Sequence, residues 1–386
     1  MFKSISSLFG LWKFGVWRLA FAGLVLTSSV GAAEEGPIKI GHFGSLTGKD
    51  AAFGVASRKG IVLAIEEINA AGGIAGRKVE YVGEDIQSKA GESATAVKKL
   101  ISRDKVVAIL GGNPSSNSLE AAPLCQRAKI PMMAISSTNP KVTTIGDYIF
   151  RICFIDPFQG AVLGRFAREN LRAQRVALLT PVTPYGIGLS NELRKKFTEL
   201  GGEVVAEQKY AEGDKDFKAQ LTTIRTFKPD VIAATGYYTE AALICKQARE
   251  LGIEATFVGG DGWEAPQLTE LGGAAVEHAY YSTGFSADNA APEVQDFVRR
   301  FKARWNGEVP EALSALGYDA MKLYADAIGR AGTTEGPKLR DAIAATKDFP
   351  GVTGRTTIDA ERNSSKPAVI LQVRHGRTEF VAAVAP

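Results

Sequence analysis

Cysteine is scarce in this chain. There are three in 386 residues, Cys125, Cys153 and Cys245. An odd number cannot pair completely within one chain, and no paired-cysteine spacing of a zinc site occurs. Cys125 and Cys245 fall in expected helices (APLCQRAK, LICKQARE), where a buried free thiol is the ordinary reading. Spacing alone leaves a Cys125–Cys153 bridge open. Histidine is equally sparse: His42, His278 and His375 are scattered and form no HExxH motif. No GxSxG elbow and no Walker loop is present, and Gly111-Gly112 and Gly259-Gly260 are not GxGxxG fingerprints. The usual signatures of metalloproteases, serine hydrolases, nucleotidases and dinucleotide enzymes are therefore absent. No catalytic residue, no metal and no cofactor is expected, and an exported hydrolase ranks only third among the readings.

Charge of one sign is lacking as well. The formal net charge is +4, but Lys3, Lys13 and Arg18 lie in the first 33 residues, which hold no acid. The remainder has 43 basic against 42 acidic residues. Such balance leaves no electrostatic footprint for nucleic acid or an anionic membrane. A chain that is 45% hydrophobic and 23% charged is ordinary globular material. Its length suggests about two domains. Residues 1–33 read as a secretory leader: three positive charges, the short apolar run LAFAGLVL and the small residues Gly31-Ala32-Ala33. The run is too short to span a bilayer, so a retained N-terminal anchor is the lesser alternative. No cysteine lies near the cleavage point, so a lipid anchor is not expected.

What is present is a regular alternation. The segment from Ile38 to Asp85 opens with an apolar strand, Ile38 to Phe43, and a Ser/Thr/Gly loop. A helix follows with Ile61, Ala64, Ile65 and Ile68 spaced three and four apart. Gly72-Gly73 stops it, and a second strand ends in Glu84-Asp85. That acidic pair suits surface or hinge duty better than acid–base work. Similar strand–helix units recur to Gly259, in two series that meet near Asp156, and a helical stretch runs from Glu293 to Ile343. This predicts an α/β fold of parallel sheets covered by helices on both faces.

Ligands of open α/β sheets bind beyond the carboxyl ends of strands. Two such ends in the first series are hydroxyl-rich: GGNPSSNS with Ser115 and Ser116, and ISSTNP with Ser136, Ser137 and Thr138. Free helix amides beside hydroxyls suit a carboxylate; capping of helices and turns is the bland alternative. Three strand ends of the second series present Tyr185, Tyr237 and Asp261, for which a half-buried surface or a simple Asp-Gly turn is the plain reading.

The run INAAGGIAGRKVE resembles the solute receptors of branched-chain amino-acid ABC importers, the type I periplasmic binding proteins. The likeness to the leucine/isoleucine/valine-binding branch continues, with short gaps, from Ile38 to the C-terminus. It implies two Rossmann-like lobes joined by a three-stranded hinge. The lobes would be residues 34–156 with 285–350, and 157–284 with 351–386. It implies a periplasmic receptor that closes on a small α-amino acid and hands it to an inner-membrane ABC permease, and a monomer is expected. Ser115, Ser136 and Thr138 fall on positions that hold the ligand's α-carboxylate and ammonium, with Ser136 where relatives often have Ala. Asp261 becomes the counter-ion of the ammonium, where some relatives carry Glu. Tyr185 and Tyr237 complete the second lobe's share, and Phe53 and Trp263 are candidates for the pocket wall, with core packing the plain alternative for both. Tyr318 is read as structural. The disulfide of the best-known members is not expected, because its positions read Gln87 and Pro114. Other readings remain: the same fold holding an amide, a urea or an aromatic or carboxylic acid, or a sensor partner with no part in transport.

Overall fold

Twelve strands and eleven α-helices alternate along residues 36–385, the residues that the computed structural model describes. The expected leader, residues 1–33, lies outside the described residues. In the first half β1 (Ile38–Gly44), α1 (Ala51–Ala70), β2 (Val79–Asp85), α2 (Glu92–Ser102), β3 (Ala108–Gly111), α3 (Ser115–Ala128), β4 (Met132–Ala134) and β5 (Ile149–Arg151) build a five-stranded sheet of order β2-β1-β3-β4-β5. All its pairs are parallel, as crossover helices require.

After α4 (Asp156–Arg165) the pattern repeats with β6 (Arg175–Pro181), α5 (Pro184–Glu199), β7 (Glu203–Tyr210), α6 (Lys218–Thr226), β8 (Val231–Ala234), α7 (Tyr238–Glu250), β9 (Thr256–Gly259), α8 (Pro266–Gly272) and β10 (Tyr280–Thr283). The strand order β7-β6-β8-β9-β10 copies that of the first sheet. The helices α9 (Pro292–Arg304), α10 (Ala312–Ala331) and α11 (Gly336–Ala344) then return to the first lobe, where α10 packs on α1 and β3. A hairpin of β11 (Ala368–Arg374) and β12 (Arg377–Val384) finishes the second sheet antiparallel to β10. The sequence pattern does not announce this hairpin. Most of β12 (RTEFVAAV) is exposed, so it lacks the alternation that marks a half-buried strand.

Each sheet has its own apolar core. On α1 the expected stripe is buried at Ile61, Ala64, Ile65 and Ile68. Gly73, at φ 82°, ends the helix in a conformation that a Cβ would strain. Close approach of α1 and α10 depends on Gly60, where a Cβ would collide with the Ser314 carbonyl. The chain passes between the sheets three times: after β5, after β10 and before β11. The last passage is fastened by a buried ion pair, Lys366–Asp319 at 3.7 Å, with Asp319 also accepting the Val352 and Thr353 N–H groups.

Local capping sets where α5 starts. The helix α5 begins at Pro184, because Thr183 caps it by accepting from Gly186 N at 3.1 Å and proline suits the first turn. Tyr185 therefore stands in a helical turn and not in a loop. The three cysteines are free and buried. Tyr318 holds a structural place, its hydroxyl 2.6 Å from Glu67 and 3.1 Å from Arg300. Asp85 gathers the Leu46, Thr47 and Gln87 N–H groups and so shapes the loop after β1.

Candidate functional site

In each sheet the strand order reverses beside the first strand of its series, between β1 and β3 and between β6 and β8. Crevices at such switch points are where open α/β sheets bind ligands. Here the two crevices face each other across one small cavity. The first lobe lines it with Phe53, Asn113, Pro114, Ser115, Ser136 and Leu313, and the second with Tyr185, Tyr237, Asp261 and Gly262. Six of the eight candidate residues thus meet at one place.

The other two stand behind it. Trp263 is fully buried under the cavity floor, and its indole N–H donates to the Ala234 carbonyl at 2.9 Å. Its ring covers Gly259, so it packs the end of β9 and does not line the wall. Thr138 is also fully buried and outside the lining. Among the described residues neither its hydroxyl nor the Asp156 carboxyl has a hydrogen-bond partner. Burial pushes the Asp156 carboxyl up to about 7.

The acidic end of the cavity is built by Asp261. It opens a single 3₁₀ turn, Asp261–Trp263, and is 9% exposed, more enclosed than a loop residue in an Asp-Gly turn would be. The Tyr185 hydroxyl donates to its Oδ1 at 2.9 Å and Gln159 Nε2 at 3.0 Å. The same Tyr185 oxygen accepts Gly262 N at 3.2 Å. Among the described residues no lysine or arginine pairs with Asp261. Burial consequently lifts its carboxyl to about 6, against the pull of the Gln159 and Tyr185 hydrogen bonds. Gly260 is required here, because a Cβ on it would strike the Tyr185 hydroxyl.

Hydroxyls and helix amides make the opposite end. Ser115 is the first residue of α3, where the Asn117 N–H is taken by the Pro114 carbonyl at 3.0 Å while the Ser115 and Ser116 N–H groups have no intrahelical acceptor. Its Oγ accepts from Asn139 N at 3.3 Å. Ser136 donates to Asn113 Oδ1 at 2.7 Å and its N–H reaches the same oxygen at 3.1 Å. Beneath them the buried Arg151 guanidinium donates to the carbonyls of Ser137 at 2.7 Å and Asn139 at 2.8 Å, which fixes the loop carrying Ser136. The walls between the ends are aromatic and apolar. Tyr185 and Tyr237 stack with centroids 5.4 Å apart, Phe53 meets Tyr237 edge-on at 6.1 Å, and Leu313 comes from α10.

Contacts between the lobes hold the cavity shut. Lys49 pairs with Asp50 at 2.9 Å in its own lobe and with Glu212 of the other at 2.5 Å, and its ammonium lies 5.8 Å above the Tyr237 ring. Burial would lower the Lys49 ammonium, yet the two carboxylates keep it above its usual range. The Tyr238 hydroxyl donates to the Lys49 carbonyl at 2.5 Å, and Asn139 Nδ2 to the Pro184 carbonyl at 2.8 Å.

Sequence reasoning does not select Asn113, Leu313, Gln159 or Arg151. Asn113 sits two residues before Ser115 in the hydroxyl-rich loop, and that neighbourhood is the one available signal. Leu313, on a helix about 200 residues away in the chain, carries no local mark.

Residues 37–378 match the family described as periplasmic binding protein. The leucine-binding protein LivK of Thermotoga maritima is 41% identical, with a TM-score of 0.86 over 90% of this chain and 99% of its own. The branched-chain amino-acid substrate-binding protein LivJ of Streptococcus pneumoniae, solved with isoleucine, is 35% identical with a TM-score of 0.86, covering 91% of this chain and 100% of its own. A solute-binding protein of Rhodopseudomonas palustris solved with 3,4-dihydroxybenzoic acid is 25% identical with a TM-score of 0.82, covering 91% of this chain and 98% of its own.

Proposed function

The chain belongs to the periplasmic binding protein family, and from that we propose that it receives a small α-amino acid, of the branched-chain type, for an ABC importer. The observation that carries this reading is the polarity of the cavity. Among the described residues no cation pairs with Asp261 at one end, while hydroxyls and helix amides stand at the other, with Phe53, Leu313 and two tyrosines between. A zwitterion with an apolar side chain matches all three parts. Its ammonium offsets the Asp261 charge, and its carboxylate meets the α3 amides with Ser115 and Ser136.

The lobes, taken as 34–156 with 285–350 and 157–284 with 351–386, close about the three passages between the sheets, and the Lys49–Glu212 contact marks the closed form. The protein works in the periplasm as a monomer, and an inner-membrane permease takes the ligand. Relatives of this chain are named as binding proteins, which supports a role in binding rather than catalysis. An aromatic acid is the rival, because the stacked tyrosines suit a ring. It leaves Asp261 facing an anion, and that disfavours it. Calorimetric titration with L-leucine, L-isoleucine, L-valine and benzoate separates the two. Binding of benzoate without binding of any amino acid overturns the proposal.

A further inference from the structure

Glu264 stands three residues after Asp261, on the turn that leaves β9, and it is 6% exposed. Its Oε1 accepts the Ala312 N–H at 2.8 Å, and its Oε2 accepts the Thr283 hydroxyl. Ala312 is the first residue of α10. That helix has no cap of its own: the preceding Glu311 makes no side-chain capping bond, and the first turn holds no acid. The two partners belong to different lobes. Glu264 and Thr283 follow β9 and end β10 in the second sheet, whereas α10 packs on α1 and β3 of the first. The residue after Ala312 is Leu313, which lines the cavity.

We infer that Glu264 is a positioning residue that caps α10 from across the cleft and couples the Asp261 turn to closure of the Leu313 wall. The first N–H groups of a helix have no intrahelical acceptor, and a carboxylate beside them is favoured by both hydrogen bonding and the helix dipole. A cap normally comes from the residue next to the helix, where it is always available. This one is supplied only when the lobes approach. Separating the lobes strands the Ala312 N–H and one carboxyl oxygen together, so the capping energy counts toward the closed form alone. The turn is short and its Gly262 is tight against the Gly236 carbonyl. A ligand that seats Asp261 therefore seats Glu264 also. Capture of the ligand's charge and movement of its apolar wall become one event.

The test uses two variants that remove opposite halves of the bond. Glu264→Ala removes the acceptor. Ala312→Pro removes the N–H at a helix position that tolerates proline, behind a Glu311 whose φ of −93° and ψ of 171° already suit a residue before proline. Each should weaken L-leucine binding about tenfold, as loss of a cap does at its upper range. The loss should appear in the dissociation rate, with association little changed. The double variant should bind no worse than the weaker single one, since one bond is lost either way. A purely structural role would lower the melting temperature and leave affinity alone. Affinity within twofold of wild type in either folded single variant overturns the inference, and so do effects that multiply in the double variant. The choice of probe rests on the amino-acid reading. Wild-type protein that binds none of L-leucine, L-isoleucine and L-valine fails that reading and not the cap. The cap is then judged on the ligand-free scattering radius: enlargement in both variants supports it, and no change overturns it.

Discussion

Replacing Asp261 by Asn tests the proposed recognition most directly, and its outcome has two parts of different sign. The carboxyl is 9% exposed and is lifted from 3.8 to about 6 by burial. That displacement corresponds to about 3 kcal/mol of ionisation cost borne by the folded protein at pH 7. A ligand ammonium would relieve it. Asn keeps the size and an oxygen, so Tyr185 and Gln159 still have an acceptor, but it offers no charge. Removing one member of a buried charge pair typically costs about 3–5 kcal/mol, or roughly two or more orders of magnitude in affinity. The ligand-free variant should not be destabilised. A group whose folded value is raised destabilises the fold above its unfolded value, increasingly up to its folded value and fully beyond, so at pH 7 the Asn variant should melt at the same temperature or higher. Calorimetric titration with L-leucine measures the first part and a thermal melt the second. Affinity within about threefold of wild type, under roughly 0.7 kcal/mol, refutes the ammonium pairing. A large fall in melting temperature refutes the account of Asp261 as a charge held ready at some cost to the fold.

Three further outcomes are expected. Wild-type affinity should fall as pH drops below about 6, where Asp261 begins to take up a proton that the bound ammonium must displace; the Asp261→Asn variant should lack this limb in calorimetry across pH 4.5–8. Lys49→Ala should speed ligand dissociation by at most about fivefold, and salt should mimic it, because the Lys49–Glu212 pair is 33% and 29% exposed and such pairs contribute about 0–1 kcal/mol; an unchanged rate in stopped-flow release would dismiss it as a latch. Gly60→Ala should lower stability by about 1–3 kcal/mol in a denaturant titration, since the new methyl group meets the Ser314 carbonyl between α1 and α10, and an unchanged midpoint would contradict the close helix contact.

Local physics makes much of this chain legible in its sequence. The stripe Ile61–Ala64–Ile65–Ile68 repeats at helical spacing, the apolar runs before Ser115, Ser136, Tyr185, Tyr237 and Asp261 read as strands, and a parallel sheet places the ends of such strands at one crevice. Periodicity and turn chemistry act over a few residues, so one dimension is enough to see them. Six of the eight candidate residues reach the cavity, and five of those six lie within a few residues of a strand end. What the tertiary structure alone decided depends on contacts between segments distant in the chain. It turned Trp263 under the floor, because the indole fills the space over Gly259 and finds the Ala234 carbonyl. It set Thr138 behind the lining, against Asp156. It brought Leu313 from α10 into the wall, Gln159 onto Asp261 and Glu264 onto Ala312, pairings separated by 102 residues and 48 residues in the last two cases. No periodicity records such partners, because they are selected by the packing of whole lobes and by the need of every buried polar group for a counterpart.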